Sequence, residues 1–186
     1  MAESSGQPVE SGERLGRPSL RAALKRVRGP GYVISSRRLW LLSVAVHRRG
    51  HPSLAKAIKN INSMIYHNSL PAEVSVGRSV RLGHQGFGIV LHPKVVIGEN
   101  VKIFHNVTMA VDPPLSPHEI VIEGDVEIGA NAVLKTRRNR GLRIGQGARV
   151  GAGAVVTHDV PARTIAISQP VELRPREPPR KLDDPD

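Results

Sequence analysis

Aliphatic residues return at every sixth position along the middle of this chain. Val76 and Leu82 stand six apart, and Leu91, Ile97, Ile103 and Met109 resume the spacing after a shift. Ile122, Ile128 and Leu134 follow, then Ile144, Val150 and Val156. A helix repeats near 3.6 residues and an amphipathic strand at 2, so neither template explains a period of six. Short strands joined by tight turns do explain it, three hexads closing one triangular coil and the coils stacking on one another. Glycine often follows the aliphatic residue, as in Ile97-Gly98, Ile128-Gly129 and Val150-Gly151. A residue without a side chain lets the backbone turn at a corner. The pattern predicts a stack from about Val74 to Val156, with Ile97, Ile103, Ile128 and Val150 pointing inward.

Three interruptions break the register. Leu82 to Leu91 contains Gly83-His84-Gln85-Gly86-Phe87-Gly88, and Met109 to Ile122 contains Asp112-Pro113-Pro114-Leu115-Ser116-Pro117-His118. Between Leu134 and Ile144 about four extra residues fall within Thr136-Arg137-Arg138-Asn139-Arg140. Loops leaving a rigid coil are natural carriers of chemistry.

Upstream the period becomes helical. Leu39, Leu42 and Val46 fit one stripe, and Leu54, Ala57, Ile58, Ile61 and Ile65 fit another, with Ser53 as the expected N-cap. Pro30-Gly31 and Gly50-His51-Pro52 separate the helices. The chain thus divides into a disordered tail (1–19), a helical segment (20–70), a hexapeptide-repeat domain (71–173) and a Pro/Arg-rich tail (174–186). The expected fold class is mainly β, a parallel β-helix of hexapeptide repeats preceded by a small helical segment.

Composition narrows the chemistry. Cysteine is absent from the 186 residues, which excludes disulfides and thiolate sites. The longest apolar run, Leu39 to Val46, is far short of the roughly 20 residues that span a bilayer, and His47-Arg48-Arg49 ends it. A cytoplasmic location is expected. The formal charge of +11 raises the question of nucleic acid. Residues 1–68 hold 12 Lys/Arg against 3 Asp/Glu, whereas residues 69–173 hold 11 against 9. The excess therefore lies outside the repeats, and with 3% aromatics there is no stacking platform. It reads as a solvated face or a surface for acidic ligands, with no nucleic-acid partner expected.

From about Ser53 to Val171 the chain resembles the serine acetyltransferase-like branch of the hexapeptide acyltransferases. The resemblance rests on Gly83-His84-Gln85-Gly86-Phe87-Gly88-Ile89-Val90-Leu91-His92-Pro93, Ile97-Gly98-Glu99-Asn100-Val101, Val107-Thr108-Met109, Val150-Gly151-Ala152-Gly153-Ala154-Val155-Val156 and Asp159-Val160-Pro161-Ala162. It implies a left-handed β-helix, an exception to the right-handed crossover rule. It also implies a homotrimer with active sites between adjacent subunits. The implied activity is acetyl transfer from acetyl-CoA to a hydroxyl. Because an alcohol is a poor nucleophile at neutral pH, an imidazole must accept its proton. His84 matches that base, and His118 the family's second active-site histidine. Gly129, Ala130, Gly151 and Ala152 match the positions that hold the pantetheine arm, and Arg149 a basic residue near the nucleotide phosphates. His92 and His105 are expected to be structural or lining residues, and no metal is expected.

The departures bear on the acceptor. Counting back from His84, the acid that orients the family's histidine falls on Ser69. The acid before that histidine falls on Gly83, and the arginine before the second histidine on Pro117. Zwitterionic serine would lose both charge partners, at a cost of several kcal/mol in a closed pocket. O-acetylation of a different small molecule, such as a sugar, is the leading expectation. Serine acetylation for cysteine synthesis and a trimeric scaffold without catalysis stand as the alternatives.

Overall fold

A computed structural model describes residues 34–169. The expected disorder at 1–19, the apolar spacing from Leu20, the Pro30-Gly31 break and the tail from Arg174 lie outside the described residues. Helix α1 (Ser36–His47) starts at Ser35, whose Oγ accepts the Arg38 N–H at 3.3 Å. Helix α2 (Pro52–Tyr66) follows a left-handed Gly50 with φ of 85°. Its cap position is His51 and Pro52 opens the first turn, so Ser53 is not the N-cap. Proline has no N–H to leave unpaired there, and its φ is already helical.

The apolar stripes of both helices are not their buried faces. α1 buries Ser36, Trp40, Ser43 and Val44, while Leu42 is exposed. Trp40 Nε1 donates to the Pro71 carbonyl at 3.0 Å, and Ser43 Oγ to the Trp40 carbonyl at 2.7 Å. These bonds let a rotated, mixed face go inward without stranding polar atoms. α2 buries Ala55 and Asn62 and leaves Leu54, Ile61, Met64 and Ile65 exposed.

Beyond the helices the chain winds into a parallel solenoid with three sheets. The first holds β1 (Ser75–Val76), β4 (Val95–Ile97), β7 (Ile120–Ile122) and β10 (Leu142–Ile144). The second holds β2 (Arg81–Leu82), β5 (Lys102–Ile103), β8 (Glu127–Ile128), β11 (Arg149–Val150) and β13 (Ile165–Ala166). The third holds β3 (Val90–Leu91), β6 (Thr108–Ala110), β9 (Val133–Lys135) and β12 (Val155–Val156). Each coil visits the three sheets in turn. β13 carries the stack past the expected end at Val156.

Every hexad aliphatic meets its counterpart in register. Val76, Ile97, Ile122 and Ile144 form one column. Leu82, Ile103, Ile128 and Val150 form the second, and Leu91, Met109, Leu134 and Val156 the third. A second inward set stands two residues earlier, at Val74, Val80, Ile89, Val95, Val101, Val107, Ile120 and Val126, all buried. The period of six conceals it, because a strand returns its side chains to one face every second residue. Burying a Val, Leu or Ile contributes about 1.5–3 kcal/mol, so the two sets account for a core almost without aromatics.

The glycines after the hexad aliphatics answer a different need from corner turning. A β-carbon on Gly98 would fall 2.9 Å from the Glu123 carbonyl carbon, and one on Gly129 would fall 2.5 Å from the Ala152 nitrogen. The next coil is simply too close. Left-handed corners are supplied instead by Asn100, Asn106, Asp125 and Asn131, each with φ between 56° and 60°, as suits Asn and Asp.

Candidate active site

One edge of the solenoid, where the second sheet passes into the third, gathers most of the candidate residues. Gly129-Ala130 follows β8 and Gly151-Ala152 follows β11, so both pairs occupy this edge on consecutive coils. Main-chain bonds tie the edge together: Asn106 N–H to the Phe87 carbonyl at 2.8 Å, Asn131 to His105 at 3.1 Å, and Gly153 to Ala130 at 2.8 Å. Gly83 lies level with Phe104, and Phe87 level with His105. Residues 84–86 are the extra ones, and they push His84 out as a bulge at the base of the column. With coils about 4.8 Å apart, this edge runs from His84 past the Phe104-His105 step to the small residues Gly129-Ala130 and Gly151-Ala152. Arg149 stands on the second sheet just before that edge, in register with Glu127 below it.

The His84 bulge is strained and braced. His84 has φ of 48° and ψ of 43°, Gln85 has φ of 57°, and Gly86 has φ of 69°. Left-handed backbone at a non-glycine residue costs about 1–3 kcal/mol and persists only where the surroundings enforce it. Here Phe87 N–H donates to the His84 carbonyl at 3.3 Å and Ile89 N–H to the Gly86 carbonyl at 3.3 Å. Buried Asn68 donates through Nδ2 to Ser36 Oγ at 2.9 Å and to the Gly86 carbonyl at 3.4 Å. That amide links the start of α1 to the bulge. Asn68 precedes the first coil, so the repeat carried no sign of it.

Two rings of the next coil lie beside the exposed His84 imidazole. The His105 ring stands 4.7 Å away, centroid to centroid, at 86° to it, and the Phe104 ring lies at 6.5 Å. Lys102 Nζ sits 4.3 Å above the Phe104 ring and 3.6 Å from Glu127. A β-carbon on Gly83 would fall 2.8 Å from Phe104 Cδ1. Phe104 and Lys102 were not candidates in the sequence, because the contact depends on which coil lies above which.

The other candidates fall elsewhere. His118 lies between β6 and β7, where the third sheet passes into the first, so the structure does not bring it to His84 within one chain. Its N–H donates to Ser116 Oγ at 3.1 Å. Ser69 is held by its main chain, with N–H to the Ile89 carbonyl at 2.8 Å. Asp112 pairs with Lys135 at 3.1 Å, and Glu73 lines a cavity of about 470 Å³ with Lys56, Lys59, Ser69 and Pro71. None of His84, His118, Gly129, Ala130, Arg149, Gly151 and Ala152 borders that cavity. His92 Nδ1 accepts the Lys94 N–H at 3.2 Å, a local structural role. Arg137 and Arg140 bridge across the third interruption, and Arg140 reaches Asp159 at 2.6 Å.

The described residues thus form a β-solenoid of hexapeptide coils with His84 and two small-residue steps on one edge. Comparison with known proteins finds acetyltransferases. A 2,3,4,5-tetrahydropyridine-2,6-dicarboxylate N-acetyltransferase of Staphylococcus aureus is 44% identical over 78 residues, which are 41% of this chain and 30% of that protein. Soybean serine acetyltransferase complexed with serine superposes with a TM-score of 0.64 at 29% identity, over 75% of this chain and 56% of that one. Serine acetyltransferase of Brucella abortus in complex with coenzyme A gives a TM-score of 0.64 at 24% identity, over 72% and 52% of the two chains, and shows the fold alone. No family model matches the chain. The chain spans under a third of the curated relative and just over half of the solved ones. Its structural neighbours are those of the serine acetyltransferase-like branch, as the residues around His84 imply. Among the described residues no helix is long and apolar enough to cross a membrane.

Proposed function

We propose that this protein is a cytoplasmic, acetyl-CoA-dependent O-acetyltransferase with His84 as general base. The observation that carries the reading is that His84 and the Gly129-Ala130 and Gly151-Ala152 steps share one edge. A linear thioester lying along those small residues would present its acetyl carbon to a hydroxyl held by His84. His84 accepts the hydroxyl proton as the oxygen attacks the carbonyl carbon. It returns that proton to the sulfur as the C–S bond breaks, leaving an ester and free coenzyme A. Arg149 adds positive charge where the nucleotide phosphates would end.

A homotrimer would complete the site. His84 and His118 flank the third sheet from opposite edges, and its outer face carries Val90, Thr108, Val133 and Val155 in register. Val155 is 71% exposed and Val90 44% exposed in one chain. Covering that face by threefold packing would bring the His84 edge of one subunit to the His118 loop of the next.

The acceptor on this reading is an uncharged hydroxyl, such as that of a sugar. Phe104 fills the space beside Gly83, leaving no carboxylate there for an ammonium group. The soybean complex favours serine as a second reading. Incubation of purified protein with acetyl-CoA and serine, sugars, nucleotide sugars and simple amines tests both. A sugar-type hydroxyl should be turned over, with L-serine poor and L-cysteine a weak inhibitor. Saturable turnover of L-serine at sub-millimolar concentration would establish the second reading instead.

A further inference from the structure

We propose that His105 is the positioning residue for His84, holding the imidazole through ring contact in place of the acid that position 69 does not supply. The inference rests on the acetyl-transfer reading above for its kinetic consequence, and on geometry alone for the contact.

No side-chain hydrogen bond from His84 to another residue exists among the described residues, and Ser69 is engaged through its main chain instead. What does touch the ring is His105, edge to face at 86° and 4.7 Å. That geometry is the favoured one for two π-systems, whose positive edges seek negative faces. It favours the one orientation of the exposed His84 ring in which edge meets face.

The two histidines differ in support, and that difference gives the contact a direction. His84 stands on the strained bulge and is exposed. His105 lies on the next coil, between layers on both sides. Phe104 N–H before it donates to the Ile128 carbonyl at 3.0 Å, and its own carbonyl accepts the Asn131 N–H at 3.1 Å. A residue held by coils on both sides thus backs an exposed side chain on a bulge, as a precisely held reacting group requires.

The contact that the structure shows between the two residues is made by their rings. An aromatic ring without nitrogen at position 105 keeps an edge or a face for that contact and should serve nearly as well.

Three variants test this: His105→Ala, His105→Gln and His105→Phe. Crystal structures of the parent and variants should show one His84 rotamer in the parent and in His105→Phe, and several in the other two. Misplacement of a reacting group lowers turnover steeply, so His105→Ala and His105→Gln should lose about 10- to 100-fold in kcat. KM for acetyl-CoA should not change. His105→Phe should stay within about threefold of the parent, since the ring remains. A single unchanged His84 rotamer in His105→Ala or His105→Gln overturns the proposal, as does a His105→Phe enzyme as impaired as those two. Should one variant not fold, the other non-aromatic one decides. Should the parent transfer acetyl to no acceptor, the acetyl-transfer reading fails, while the rotamer comparison still decides this inference.

Discussion

Phe104 lies across Gly83: the ring of one coil occupies the space that a side chain on the coil below would need, with Cδ1 2.8 Å from the position of a β-carbon. Gly83→Asp should therefore displace the ring and destabilise the fold, overpacking typically costing about 1–3 kcal/mol. Calorimetry should show a lower Tm, partly recovered when Phe104→Ala is added. An unchanged Tm in the single variant would mean that the ring moves freely and sets no limit on the acceptor.

Removal of the base should separate chemistry from binding. His84→Ala should lower kcat by about 10²- to 10⁴-fold, with coenzyme A affinity, oligomeric state and Tm close to the parent's. Stopped assays and calorimetric titration read the two halves. Near-normal turnover would remove His84 from the reaction.

Arg149→Ala should act on the other end of the edge that His84 begins. Loss of one charge-assisted contact weakens binding by roughly 1.5–3 kcal/mol, so KM for acetyl-CoA should rise at least tenfold with little change in kcat. A dephosphorylated or truncated thioester donor should lose the difference between parent and variant. If the truncated donor is affected equally, Arg149 acts elsewhere.

Ile128→Asp places a carboxylate in the middle of a column, between Ile103 and Val150, where no partner is available. An unpaired buried charge costs several kcal/mol, so soluble expression should collapse or Tm fall sharply. Glu127→Asp, one residue away but on the outer face, is the control and should fold normally.

Acid should loosen the edges of the stack. Hydrogen bonds from Ser79 and Arg78 hold the Glu99 carboxyl below the ordinary range, Arg143 and Gln146 do so for Glu123, and the Arg143 N–H and Arg140 for Asp159. Each carboxylate binds protons less readily folded than unfolded. Its stabilisation is present above the unfolded pKa of about 4 and is lost as pH falls through the lower folded value. Tm should decline below about pH 4.5, and Asp159→Asn should flatten part of that decline. An identical acid profile in the variant would show that Asp159 contributes nothing to it.

The stack, its three inward columns and the sites of its interruptions were legible in the sequence because a repeating coil writes its core as a period. Each aliphatic residue must meet the same residue type one coil on, so local pattern and tertiary contact coincide. The place of His84 outside the register was legible for the same reason, and its proposed role came from the resemblance that the residues around it carry. The helical faces were not, since hydrogen bonds from Trp40 and Ser43 allowed α1 to bury a polar-containing side that hydrophobic spacing cannot indicate. Nor could Asn68 be found, a single buried amide outside any repeat. Above all, insertions of unequal length change which residues lie level across coils. Only the folded register sets Phe104 over Gly83 and His105 against His84, because such contacts join residues about twenty positions apart and depend on how many residues bulge out between them.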